Sequence, residues 1–153
     1  MRNIFTVVTL IALCLLLSVA VSADGAKKLQ MKNLPPAVQA TVKEQSKGAT
    51  IRGLAKEKEN GKIVYELELK VDGHNKDMLI DASGKIISIE EQVELNTLPA
   101  AVQSEIAKQT GRGKIVIIES LTENGTLTGY EAAIKTSGKS REIKISPYGK
   151  LMK

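Results

Sequence analysis

"NLPPAVQATVKEQSKGATI", residues 33–51, returns as "TLPAAVQSEIAKQTGRGKI", residues 97–115. Leu34 corresponds to Leu98, Pro35 to Pro99, Ala37 to Ala101 and Val38-Gln39 to Val102-Gln103, each 64 positions apart. The offset holds through Ile51 and Ile115 to Glu59-Asn60-Gly61 and Glu123-Asn124-Gly125. It then becomes 65, as in Tyr65-Glu66 against Tyr130-Glu131 and Gly84-Lys85 against Gly149-Lys150. One residue has entered the second copy just past its Asn-Gly turn, and loop tips tolerate insertion best. The chain therefore writes one unit twice, at residues 34–92 and 98–153, with a junction at 93–97.

Each copy opens with a helix. Proline is tolerated in a first helical turn because its missing N–H has no helical partner there. Leu34, Val38 and Val42 lie four apart, as do Leu98, Val102 and Ile106, which makes one apolar stripe. Gly48 and Gly111 fall where such helices stop. The period then changes to two. In "KIVYELELKVDG", Ile63, Tyr65, Leu67, Leu69 and Val71 alternate with Val64, Glu66, Glu68 and Lys70, the pattern of a strand with one buried face. Asn60-Gly61 before it and Asp72-Gly73 after it are hairpin turns. Further strands are predicted near 50–57, 76–82 and 85–90, and the second copy repeats the series with its last strand cut short at Leu151-Met152-Lys153.

A two-residue turn at Asp72-Gly73 sets Leu67 opposite Met78 and Tyr65 opposite Ile80. A Ser137-Gly138 turn sets Ala132 opposite Ile143 and Tyr130 opposite Ile145. Both registers bury apolar pairs, and a slip of one residue destroys that agreement. The expected fold is α+β: two repeated units, each a helix on a three- to four-stranded antiparallel meander, the two sheets sharing a core or joined edge to edge. On the polar face the same register sets Glu131 opposite Lys144, but Glu68 opposite Asp77. Glu66, Glu68, Asp77 and Asp81 thus form a candidate partner-binding patch, since like charges across a sheet destabilise it and unbalanced charge serves association.

Residues 1–23 read as a cleaved signal peptide: Arg2, an apolar run from Ile4 to Val21, and the small-residue exit Val21-Ser22-Ala23. Cys14 has Leu13 before it and lies mid-run, which argues against a lipoprotein anchor. Cleavage leaves a mature chain from Asp24 to Lys153 without cysteine, and the loss of Arg2 lowers the net charge from +5 to +4. No stable membrane insertion is expected of that chain. Residues 24–33 are an extension before the first unit. The expected location is the periplasm or the medium. Lys and Arg alternate with Asp and Glu, and the mature chain's only aromatics are Tyr65, Tyr130 and Tyr148. Nucleic-acid binding wants a basic stripe with stacking aromatics, so it is not expected.

Enzyme chemistry is poorly supplied. His74, the only histidine, sits beside the Asp72-Gly73 turn and reads as a solvated turn residue. One histidine without cysteine makes no typical zinc site, and no nucleophile motif surrounds any serine. No cofactor, metal or catalytic residue is expected. "DASGK" at Asp81 reads as a turn rather than a phosphate loop. Tyr65 and Tyr130 read as packing residues.

The stretches "LPPAVQ" and "LPAAVQ", "EKENGKIVYELEL" and "TENGTLTGYEAAI", and "DASGKI" and "SPYGKL" resemble the PepSY-like domains, particularly their beta-lactamase-inhibitor-like branch. The resemblance covers most of residues 34–153. It implies small exported helix-plus-sheet modules with non-catalytic roles in binding or inhibiting other proteins, peptidases included. The inhibitor it resembles carries disulfides and an aromatic-rich binding face, whereas this mature chain has no Cys and no Trp. The expectation is a non-enzymatic protein-binding module, with a structural or ligand-sensing envelope protein as the alternative.

Overall fold

The computed structural model describes residues 29–152. The expected signal peptide and residues 24–28 of the expected extension lie outside the described residues. A 3₁₀ turn, Met31–Asn33, leads into helix α1 (Pro36–Gln45) and strands β1 (Thr50–Glu59), β2 (Lys62–Val71), β3 (His74–Asp81) and β4 (Ile86–Gln92). A second 3₁₀ turn, Leu95–Thr97, leads into α2 (Ala100–Thr110), β5 (Lys114–Glu123), β6 (Thr126–Thr136) and β7 (Lys139–Ile145). All seven strands form one antiparallel sheet in sequence order.

The join is edge to edge. β4 pairs with β5 from Ser88 opposite Glu123 to Gln92 opposite Glu119. The first copy contributes four strands. The second contributes three, and Leu151 adds a single bridge to Ile145 where a fourth would begin. The two hairpin registers are those set by the turns: Leu67 faces Met78, and Ala132 faces Ile143.

Both helices lie on one side of the sheet. Val38 and Val42 pack with Tyr65, Leu67, Leu69, Met78 and Ile80. Val102 and Ile106 pack with Ile118, Tyr130, Ile134, Ile143 and Ile145. The four helical residues named are fully buried. Each such side chain stabilises the fold by roughly 1.5–3 kcal/mol relative to exposure. The sheet is continuous, but its apolar side carries two cores, one under each helix.

The repeat also shows in the irregularities. The β1–β2 register slips at Arg52 and the β5–β6 register slips at Val116, the equivalent position of the second copy. The inserted residue of the second copy does not sit in the loop tip. Asn60 and Asn124 have nearly the same φ, 47° and 48°. The extra residue is instead absorbed within β6 as a bulge, between the Leu121–Gly129 and Thr122–Leu127 pairs. There the Thr128 hydroxyl donates to the Leu121 carbonyl at 3.1 Å. A bulge takes one extra residue into one strand, at the cost of a local bend, and the pairing resumes on either side.

Two turns touch the helices directly. A Cβ on Gly84 would lie 2.8 Å from the Ala37 carbonyl oxygen, and one on Gly149 would lie 2.8 Å from Ala101. Both glycines have positive φ. The Thr41 hydroxyl donates to the Gly84 carbonyl at 2.6 Å.

Candidate binding face

Strand alternation sends the residues between the core positions to the opposite, helix-free face. Glu68, Asp77 and Glu90 lie abreast on β2, β3 and β4. One residue pair further along, Gln92, Glu119, Glu131 and Lys144 lie abreast on β4 to β7. The carboxylates therefore make a diagonal stripe from β2 to β6, roughly 20 Å long at the usual strand spacing. Glu66 flanks one end of it and Glu142 the other.

Among the described residues, the cations on this stripe sit at its two ends. Lys144 Nζ is 3.0 Å from a Glu131 carboxylate oxygen. At the other end Arg52 and Lys70 both donate to Asn75 Oδ1, each at 3.1 Å. Among the described residues, no ion pair includes the central Asp77, Glu90 or Glu119. Glu119 is nonetheless only 4% exposed and Glu131 only 7%. Leu79, Val64 and Ala133 are buried on the same face, so the carboxylates stand beside apolar surface.

Desolvation and mutual repulsion hold protons on this stripe. Burial, then the Glu119 and Glu131 carboxylates, push Glu90 up to about 8. Burial, then Asp77 and Glu131, push Glu119 up to about 7. Glu66 rises to about 7 through burial and Glu57. Asp77 rises to about 6 through burial and Glu68, against a smaller pull from Arg52. Glu142 is raised by burial and Glu131. Both causes favour the neutral acid.

Of the four residues singled out from sequence, the fold brings Glu66, Glu68 and Asp77 together. Asp81 stands apart. Its carboxylate closes its own turn, accepting from the Ser83 and Lys85 amides at 2.9 and 3.1 Å and from the Ser83 hydroxyl at 2.5 Å. These bonds, the Ser83 hydroxyl first, hold Asp81 below the usual carboxylate range. Glu90, Glu119 and Glu142 were missed as members. Glu90 and Glu119 meet across the β4–β5 seam, whose register no tight turn sets.

The other sequence candidates fall elsewhere. His74 opens β3, with Nε2 3.6 Å from a Glu94 carboxylate oxygen. Tyr65 and Tyr130 are core residues, each 8% exposed. Among the described residues, no three His, Cys, Asp or Glu side chains converge to hold a metal ion. A cavity of about 190 Å³ at the seam is lined by Ile86, Ile89, Thr122 and Asn124, with no titratable group in its wall. No described helix is long and apolar enough to cross a membrane.

Two helices on one side of a seven-stranded meander, with a carboxylate-rich face on the other, define a small α+β module built by internal repetition. The family described as "Putative beta-lactamase-inhibitor-like, PepSY-like" matches residues 23–88 and again 81–153, and the chain belongs to it. The double match suggests the same two-unit repeat. The fold is similar to a DUF2874 family protein from Bacteroides ovatus at 17% identity, covering 78% of this chain and 85% of that one, with a TM-score of 0.61. A protein from Bacteroides eggerthii described as periplasmic shares 15% identity over 78% and 86% of the two chains, with a TM-score of 0.63. A BLIP-like protein from Bacteroides fragilis shares 21% identity over 78% and 84%, with a TM-score of 0.58. No curated protein matches the chain.

Proposed function

We propose that this chain is an exported, non-enzymatic module that binds another protein through its helix-free acidic face. Inhibition or regulation of a secreted or envelope enzyme, such as a peptidase, is the use it fits. The observation that carries this is the central Asp77–Glu90–Glu119 segment, which is half-buried or buried and forms no ion pair within the described residues, with Arg52 and Lys144 acting on it only from the ends. An ordinary solvated face would intersperse cations there, and this chain places them at the ends. The family description, inhibitor-like and naming no reaction, supports a binding role. The relative described as periplasmic supports export.

Affinity capture from native periplasm and medium tests the reading. The tagged wild-type chain should retain a specific protein that a Glu90→Lys variant loses, and the pair should re-form from purified components. Equal recovery by both proteins would remove the acidic face from the function.

A further inference from the structure

We propose that the middle of the stripe, over Glu90 and Glu119, receives a lysine or arginine side chain of the partner protein. This rests on the reading above that the helix-free face binds a protein, and it adds the chemistry of what is bound.

Glu119 is the strongest indication. Its side chain is 4% exposed in the middle of a seven-stranded sheet. No hydrogen bond or ion pair within the described residues reaches its carboxylate. Its oxygens keep a little solvent contact, since among the described residues the fully buried side-chain polar atom left without a partner is the Ser88 hydroxyl. A carboxylate so little exposed and without a fixed donor is still costly. Its neighbours in register are Gln92 and Glu131. Gln92 accepts from the Asn75 amide through Oε1 and is a neutral donor at most through Nε2, and Glu131 pairs with Lys144. Neither neighbour in register therefore supplies Glu119 with a cation of its own.

The chain is basic overall, with a net charge of +5, so the acidic field is a local arrangement and not a by-product of composition. Lys76, the nearest cation by strand position, is paired with Glu91 at 3.2 Å on the helix side of the sheet. A point-like metal ion needs ligands converging on one centre, and these carboxylates are spread along a row. An ammonium or guanidinium group on a long stem, with three or five N–H donors, suits a row of separate acceptors.

The groups facing Glu119 are Asp77 from β3, Glu90 from β4, Glu131 from β6, and Glu142 and Lys144 from β7. Below the range in which Asp77, Glu90 and Glu119 release their protons the middle of the stripe is nearly neutral, and an arriving cation must expel protons to bind. Binding and proton release are therefore linked, and affinity rises with pH.

The test uses the purified chain in low salt and a capped nine-residue peptide with lysine at alternate positions and threonine between. The matching glutamine peptide is the control. Calorimetry in two buffers of different ionisation enthalpy should show proton release at pH 7 for the lysine peptide alone. Its affinity should rise about tenfold between pH 5.5 and 8.5 as the acids ionise. Backbone amide shifts should map to the stripe on β3–β6. Glu119→Gln and Glu90→Gln should each weaken binding about fivefold, because each removes one acceptor charge. Glu105→Gln, on α2 and so on the other side of the sheet, should leave it unchanged.

Both key substitutions are isosteric and remove repulsion, so the fold should persist. If one variant loses it, the other variant and the wild-type pH profile decide. Absence of lysine-peptide binding at pH 8.5, or binding unchanged in both glutamine variants, overturns the proposal. So does calcium chloride moving the same amides when the peptide does not. A partner captured through the face, and held equally by Glu119→Gln and Glu90→Gln, would sink this proposal and leave the binding role standing. A peptide seated at Glu119 with no protein captured would do the reverse.

Discussion

Glu66 and Glu131 occupy the same position in the two copies, yet they meet different company. Across the hairpin Glu131 faces Lys144, while Glu66 faces Leu79. Asp77 and Glu142 are likewise equivalent. The copies share a backbone down to the bulge at Arg52 and Val116. The cores and turns need that shared skeleton, and it leaves the helix-free face free to diverge. At this position the second half closes its charge with an ion pair and the first half does not, while Glu119 of the second half stays open beside the seam.

The most disruptive way to probe this comparison is through the cores. Val102→Asp puts an unpaired charge at a fully buried site and should destabilise the chain by more than about 3 kcal/mol. Because the sheet is continuous, amide signals from both halves should be lost in one transition. A melt confined to the second half would show two independent domains.

Gly84→Ala and Gly149→Ala should each cost about 2 kcal/mol, since each combines positive φ with contact on a helix. Urea midpoints that shift for one and not the other would show that the helices dock unequally.

Lys144→Leu makes the second half resemble the first at this position. With Lys144 partly exposed, the loss should be about 1–2 kcal/mol at pH 8, less than for a fully buried pair. The urea midpoint should fall through the stranded Glu131 charge, and an unchanged midpoint would mean that the pair contributes nothing.

The pH dependence of the wild type has a definite sign. Glu66, Asp77, Glu90 and Glu119 bind protons more tightly folded than unfolded. Their contribution is fully present below the unfolded carboxylate range near 4, and it is lost as pH rises through about 6 to 8. The melting temperature should therefore fall from pH 5 to pH 9. A flat or rising profile would show that the stripe is better solvated than its burial indicates. The smallest effect belongs to Glu68→Lys, which relieves a like-charge pair and should raise stability by about 0.2–1 kcal/mol. A lowered melting point would show that Glu68 contributes through packing over Gly53, which its carboxyl covers.

The repeat made most of the fold legible in advance. Two helices, the hairpin registers and the core positions follow from periodicity and turn chemistry, which act over a few residues. What stayed hidden depended on contacts that no turn dictates. The seam register relies on a bulge in the β3–β4 pairing and on the long connection through α2 between β4 and β5, so the meeting of Glu90 with Glu119 was not readable. Asp81 looked like a member of the patch because alternation gives a face. It does not reveal that a serine two residues on will claim the carboxylate.

The strand order bears finally on how the chain reaches this state. Every strand pairs only with its neighbour in sequence, so no crossover has to be threaded and most closing loops are short. Hairpins of this kind form in roughly microseconds, and low contact order speeds folding. The β4–β5 seam is the exception, because the chain between its strands must first fold α2 back onto the sheet. The face that unites Asp77, Glu90 and Glu119 is therefore expected to assemble after the hairpins that flank it.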